Sequence, residues 1–407
     1  MPEEKEQFAF NMQADFKFSK TKLTLQQEIE SVSIHMANHS FVPTMRMTFF
    51  ISTKYRNMLL MPYTVILRII EKNMAEDERT VMEQEWLSYG QHANDIKRES
   101  GKENRPDIIK VTHEFIAKDV FAAINTLVGG LYENTTVKNI IQQLWNSTNH
   151  GKTNLEINDL DNKETYDQIW VPNNKFFKNL SYLSQEYGMF IVPPVMYSDG
   201  NTVYIKSLNN ATKEKALELY VDTPENEQRK LKVDKGQYYI GKPPTIQNSF
   251  NSISSIIPKK IVVTKKSQSE LYESDEIDVI ELIKSLRFVD STDVFEEFLD
   301  KIVIPKTHIY VDHSNLYSLK ESIASIVMNT VKPLDIQISH PFRFSHWYIG
   351  RKVILKYNHL EYKMGTEITF FVSELDFVIS RTASKRVQGN IYAKLNCVST
   401  KNAFIGG

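Results

Sequence analysis

Residues Thr165–Ile205 read TYDQIWVPNNKFFKNLSYLSQEYGMFIVPPVMYSDGNTVYI. Their reading decides the fold. Trp170 stands just before a Val171-Pro172 step. Asn173 or Asn174 can cap a helix whose apolar face is Phe176, Phe177, Leu180, Leu183 and Tyr187, at steps of three and four. Gly188 is suited to the position just past a helix end, because it takes positive φ at no steric cost. Met189 to Tyr197 reads as extended, and Pro193-Pro194 keeps it out of the middle of a sheet. Asp199-Gly200 signals a hairpin turn, and Val203 to Ser207 returns as the partner strand. A helix followed by a hairpin predicts an α+β unit, over about residues 113–220. A Phe/Leu face with a rigid proline entry is a support element, with nothing reactive in it.

Helical spacing also holds just upstream. Val120, Phe121, Ile124 and Leu127 share one face of a helix over Lys118 to Leu127, and Gly129-Gly130 is read as its stop. Thr136 is placed to cap a second helix carrying Val137, Ile140, Ile141 and Leu144. Both helices are short and amphipathic, so they must pack on something else.

Further out, on both sides, the period changes to two. Val32, Ile34 and Met36 alternate with polar neighbours, as do Met45, Met47, Phe49 and Ile51, then Val65, Leu67 and Ile69. Val81 to Tyr89 is a further strand. Met74 to Arg79 reads as a turn and Gln91 to Asp107 as an exposed loop. Together these predict an antiparallel β domain over residues 1–112.

Downstream of the charged region Asp222 to Lys235, Gly241 with Pro243-Pro244 implies a fixed turn, and Ile261 to Thr264 is a strand. Residues 267–333 are more acidic, with helical patterns in Ile277 to Leu286 and Tyr317 to Met328. They read as an inserted mixed α/β subdomain. Strands return at Leu334 to Ile338, Arg351 to Tyr357, Glu367 to Phe377 and Asn390 to Val398, with Gly350 and Gly365 at turns. Residues 221–266 and 334–400 therefore form a second β domain.

The 407 residues have room for about two to four domains. At 41% hydrophobic and 24% charged, the composition is that of a globular chain. The net charge of −1 leaves no footprint for tight non-specific nucleic-acid binding. Cys397 is a single cysteine and forms no internal disulfide, which fits a reducing compartment. The acidic start MPEEKEQF is not a signal peptide, and no apolar run approaches the ~18 residues that span a bilayer.

Reactive motifs are missing. The chain has no phosphate-cradling G-x-x-x-x-G-K-[ST], no G-x-G-x-x-G and no G-x-S-x-G elbow, and one cysteine excludes a zinc ribbon. His308 with Asp312 and His313, and His340 with His346, lack a metal motif and read as surface or satisfied histidines. Glu296-Glu297 and Asp275-Glu276 read as solvated faces rather than catalytic dyads. Lys259-Lys260 and Lys265-Lys266 read as lysines protecting an edge strand, ahead of phosphate contacts. Phe342, Phe344, Trp347 and Tyr348, with Arg343 and Arg351, read as a core wall or subunit interface, ahead of a base-stacking platform. No catalytic, cofactor-binding or metal residue is assigned, no cofactor is expected, and the partner interfaces carry no motif.

The stretch from Tyr166 to Ile205 resembles the baseplate hub protein of contractile-tailed, T-even-like bacteriophages. The matching residues are Ile169, Trp170 and Pro172, then Phe177, Asn179, Leu180, Ser181, Tyr182 and Leu183. Ile240-Gly241-Lys242-Pro243 and the strand Ile261 to Lys265 resemble the next part of that family. Gly350-Arg351-Lys352-Val353-Ile354-Leu355 and Ser373-Glu374-Leu375 resemble its late strands. The order agrees over most of the chain, while the N-terminal third matches in strand pattern and position.

This resemblance implies two tube-like antiparallel β-barrel domains per chain, with α+β side and inserted domains. It implies a non-enzymatic homotrimer whose pseudo-sixfold ring adapts the hexameric tail tube to a threefold central spike. Expected partners are the spike protein, a tail tube or tube-initiator protein, the tape-measure protein and DNA in transit, with no membrane insertion. The expected location is the virion tail baseplate, after assembly in the host cytoplasm. Two rivals are a hub-spike component of a secretion or contractile injection system, disfavoured because no spike-like repeat follows, and a hydrolase with its site in 267–333. A third is a tail adhesin or chaperone.

Overall fold

The computed structural model describes residues 9–19, 21–72, 78–89, 97–98, 108–208, 215–221, 223, 228, 230–241, 260–266, 272–278, 281, 307–311, 317, 320–321, 333–339, 341–357, 367–382 and 387–397. The expected loop over 91–107 lies outside them apart from Lys97-Arg98, as do most of the two helices expected in 267–333 and the turns at Pro243-Pro244 and Gly365.

The N-terminal third is strands, as its period-two pattern requires. They are β1 (Ala9–Lys17), β2 (Lys22–Leu25), β3 (Ile29–Ala37), β4 (Ser40–Ser52), β5 (Thr64–Lys72), β6 (Glu78–Tyr89), β7 (Lys97–Arg98) and β8 (Ile108–Ala117). A single helical turn, α1 (Arg56–Leu59), lies between β4 and β5. In β4, Met45, Met47, Phe49 and Ile51 are buried while their neighbours face outward. Phe16 packs on Phe49 and Tyr63, with ring centroids 5.0 and 5.8 Å apart.

The middle of the chain mixes helix and strand. It comprises α2 (Lys118–Asn125), β9 (Leu127–Thr136), α3 (Val137–Asn146), β10 (Asn154–Ile157), β11 (Thr165–Lys175), α4 (Phe176–Glu186), β12 (Pro194–Ser198) and β13 (Thr202–Ser207). The Thr136 hydroxyl accepts from the Asn139 N–H and caps α3. Helix α4 buries Phe176, Leu180 and Leu183, with Phe177 and Tyr187 packed against the same core. Gly188 takes φ 70° just beyond it. The Asp199 carboxylate accepts from the N–H groups of Asn201 and Thr202, which closes the β12–β13 hairpin. The proline-bearing β12 is an edge strand of the sheet β10-β13-β12.

Two expectations are corrected here. Neither Asn173 nor Asn174 caps α4; Lys175 holds that position without a side-chain bond. Gly129-Gly130 is not a helix stop, because α2 ends at Asn125 and both glycines lie inside β9. The chain needs glycine there for a different reason. A Cβ on Gly129 would sit 2.5 Å from the Pro172 carbonyl oxygen, where β11 bulges across its partner.

The last third adds β14 (Leu217–Val221), β15 (Gln237–Ile240), β16 (Lys260–Lys266), β17 (Tyr272–Asp278), β18 (Thr307–Val311), β19 (Leu334–Ser339), β20 (Lys352–Tyr357), β21 (Glu367–Arg381) and β22 (Val387–Cys397). Strand β16 is the centre of the small sheet β17-β16-β18. Lys260, Lys265 and Lys266 therefore belong to a central strand, not an edge.

Among the described residues, one 14-stranded sheet joins both ends of the chain, in the order β15-β14-β20-β21-β3-β4-β8-β6-β5-β1-β2, with β22 on β21, β19 on β22 and β7 on β8. The join is β21, a strand of 15 residues. Its first part pairs with β20 and its later part with β3, while β22 runs along its other side. A register shift falls between Val372 and Glu374. The displaced Ser373 carbonyl accepts from the Asn38 N–H at the tip of the β3–β4 hairpin. His39, at φ 62°, gives its N–H to the Met196 carbonyl, and the Asn38 side chain accepts from the Met196 N–H. That hairpin tip thus ties together the sheet's two halves and the middle α+β part. The fold is β-rich α+β with a mixed sheet, since β14 runs parallel to both β15 and β20. The hydrogen-bonded ladder among the described residues does not close on itself.

Candidate assembly surfaces

Several of the residues singled out for chemistry are packed into the core. Phe342, Phe344 and Trp347 are buried, and the Phe344 ring stacks on Phe377 at 4.0 Å, so this aromatic cluster is a core wall. His346 lies 2.7 Å from the Tyr238 hydroxyl, and burial and the nearby Arg351 hold it below the usual histidine range. His308 lies in β18 and Asp275-Glu276 in β17, whereas His313, His340, Lys259 and Glu296-Glu297 fall outside the described residues. No group of three or more His, Cys, Asp or Glu suited to a metal occurs among the described residues.

Arg343 proves to be a clasp. Its Nη1 lies 3.1 Å from the Glu71 carboxylate of β5, and its Nε donates to Asp234 at 2.8 Å. The Glu71 side chain is only 5% exposed, so the pair holds a desolvated charge between the N-terminal and C-terminal strands. A second ion pair crosses the seam between β3 and β21. His35 Nδ1 lies 2.9 Å from Asp376 Oδ1, at directly paired positions of the two strands. The hydrogen bond to Asp376 and its charge raise the His35 pKa, against a smaller effect of burial.

The remaining surface is unusual in two places. Strands β9 and β11 form a two-stranded ribbon whose inner side, Val128, Ile169 and Val171, is buried. Its outer side is not: Leu131 pairs directly with Trp170, and they are 57% and 63% exposed, with Leu127 at 62%. The second place is the corner after α1. Leu60 and Met61 stand out into solvent there, and Tyr89 of β6 is exposed next to Ser88, which exchanges hydrogen bonds with Tyr63. Exposed apolar residues set side by side make each place a candidate surface for meeting another protein. Sequence reasoning noted Trp170 but missed the ribbon, since Leu127 was assigned to a helix and Leu131 to none.

No helix among the described residues is long and apolar enough to cross a membrane. Among the described residues, the features that stand out are the Arg343 and His35 joints and the exposed apolar faces. The family model described as "Bacteriophage PBS1 gene 109 protein" matches residues 91–346, and the chain belongs to that family. In fold it is similar to a tail protein from Neisseria meningitidis MC58, with a TM-score of 0.53 at 9% identity over 94% of this chain and 96% of that one. It also matches the 43 kDa tail protein of prophage MuSo2 from Shewanella oneidensis, with a TM-score of 0.46 at 8% identity over 94% and 97% of the two chains. A chain of the Francisella PdpA-VgrG complex matches with a TM-score of 0.48 at 11% identity, over 96% of this chain and 58% of that one. No curated protein matches the sequence. The resemblance to phage tail hub proteins drawn from the sequence agrees with the family.

Proposed function

We propose that the chain is the baseplate hub of a phage tail, a homotrimer that adapts a hexameric tail tube to a threefold central spike. The observation that carries this reading is the agreement in fold, over almost the whole chain, with the tail protein from Neisseria meningitidis MC58, in a chain that belongs to a bacteriophage protein family. In it, residues 1–112 and residues 221–266 with 334–400 act as two tube-like β-barrel domains, with β8 running on to Ala117. Residues 113–220 brace the ring from the side, and 267–333 is an insertion with which β16 keeps company. Closure of each barrel is part of the proposal. Among the described residues the two β regions are joined in one open sheet through β21, so closure would involve strands beyond that ladder.

The outward face of the joined sheet suits a passage for DNA. Thr48 and Thr112 hydrogen-bond to each other, and Ser31 and Ser33 lie alongside. Several of the charges there are paired, as in His35–Asp376, Lys394–Glu374 and Lys110–Glu30. A neutral, hydroxyl-rich lining would not retain a polyanion as a basic one would. The partners are the spike, a tube or tube-initiator protein and the tape-measure protein. The protein belongs to the virion tail and has no enzymatic activity of its own.

The test is native mass with electron microscopy. A trimer would weigh about 142 kDa, three times 47.3 kDa, and should show a ring with a central channel. A chain that stays monomeric alone and also fails to enter rings with its spike protein would sink the reading.

A further inference from the structure

We propose that the β9–β11 ribbon of one chain docks on the Leu60–Met61 corner of a second copy, head to tail. The inference rests on the trimer reading and names where the copies meet. The two surfaces differ in shape and complement each other in charge. On the ribbon, Glu133 is exposed on the same face as Leu131 and Trp170, two residues along. Gln168 hydrogen-bonds to Glu133, and the ribbon's cation, Lys175, is held by Asn125 at the other end. At the corner, Lys54 and Arg56 are exposed next to Leu60 and Met61, and the Lys54 ammonium lies 4.9 Å from the Tyr55 ring centre.

Among the described residues, no ion pair involves Glu133, Lys54 or Arg56. An acidic apolar face repels its own copy and attracts a basic apolar one. Contact between two different patches is heterologous, so every chain offers one of each, and a rotation of about 120° per copy would close three copies into a ring. Trp170 is the anchor: a large exposed indole set on a ribbon whose inner side is locked into the core.

The test uses the full chain, with Trp170→Glu and Met61→Glu made separately, and follows self-association by sedimentation equilibrium. Circular dichroism and thermal melting confirm folding, which exposed positions should leave intact. Each variant should weaken association about 30-fold or more. Mixed in equal amounts, the two should form a one-to-one heterodimer, because the Met61 variant keeps an intact ribbon and the Trp170 variant an intact corner. Glu133→Lys and Arg56→Glu should each weaken association, and their combination in one chain should restore it.

Variants that associate as the wild type does would overturn the inference, as would a mixture that stays monomeric. A ring that survives both substitutions removes this contact and leaves the hub reading standing. A wild-type chain that is monomeric at high concentration overturns the contact, and the hub reading is then judged by ring formation with the spike protein.

Discussion

Gly129 shows how one residue decides a local structure. Its missing side chain lets the β11 bulge close over β9. Gly129→Ala would drive a Cβ into backbone that cannot yield, and should cost about 1–3 kcal/mol in urea denaturation. Gln84 is the opposite case. Both of its amide atoms are buried without a hydrogen-bond partner, pressed against Gly200. Gln84→Met should therefore leave the melting temperature unchanged or raise it, because it removes an unpaired polar group. His35 supplies a pH dependence. Its folded pKa is raised by Asp376, so its contribution is complete below the unfolded value of about 6.5 and fades as pH rises through the folded value. The melting-temperature gap between wild type and His35→Gln should be larger at pH 5.5 than at pH 8.5; an equal gap would show that the pair does not stabilise the seam. None of these three roles is legible from sequence, since each depends on a neighbour distant along the chain.

Elements were legible where period and burial agree. The α3 and α4 helices and the strands of the N-terminal third follow their patterns, because one face of each is buried. Leu180→Ala or Leu183→Ala should each cost about 2–5 kcal/mol, as both side chains are within 1% of full burial. A near-zero change in either would count against the support role of α4. Strand β9 was illegible for a physical reason. Its apolar Leu127 and Leu131 face out, and two glycines interrupt the alternation, so the pattern that marks a half-buried strand is missing. What hid the ribbon from sequence reasoning is what makes it a docking surface. Trp170 was visible as an isolated aromatic, but its exposure depends on the strand it pairs with.

For the whole molecule, the joints matter more than the parts. Arg343→Met would leave the Glu71 carboxylate buried without its cation and should cost about 2–4 kcal/mol, read as a lower denaturant midpoint. Adding Glu71→Gln should recover part of that loss; strictly additive effects would show the two groups to be uncoupled. Two β-rich ends were legible from composition and period. Their union in one sheet was not, because nothing local to β3 announces that its partner is β21.

That pairing has a consequence for how the chain is made. His35 and Asp376 are 341 positions apart, and β3 emerges from the ribosome among the first strands. At roughly 5–20 residues per second, its partner arrives on the order of tens of seconds later. During that delay the newborn N-terminal sheet carries an open edge along β3, the kind of edge to which a neighbouring nascent chain can add. Chains cut short before β21 should therefore aggregate, while the complete chain, once β21 zips in, covers its own most adhesive seam.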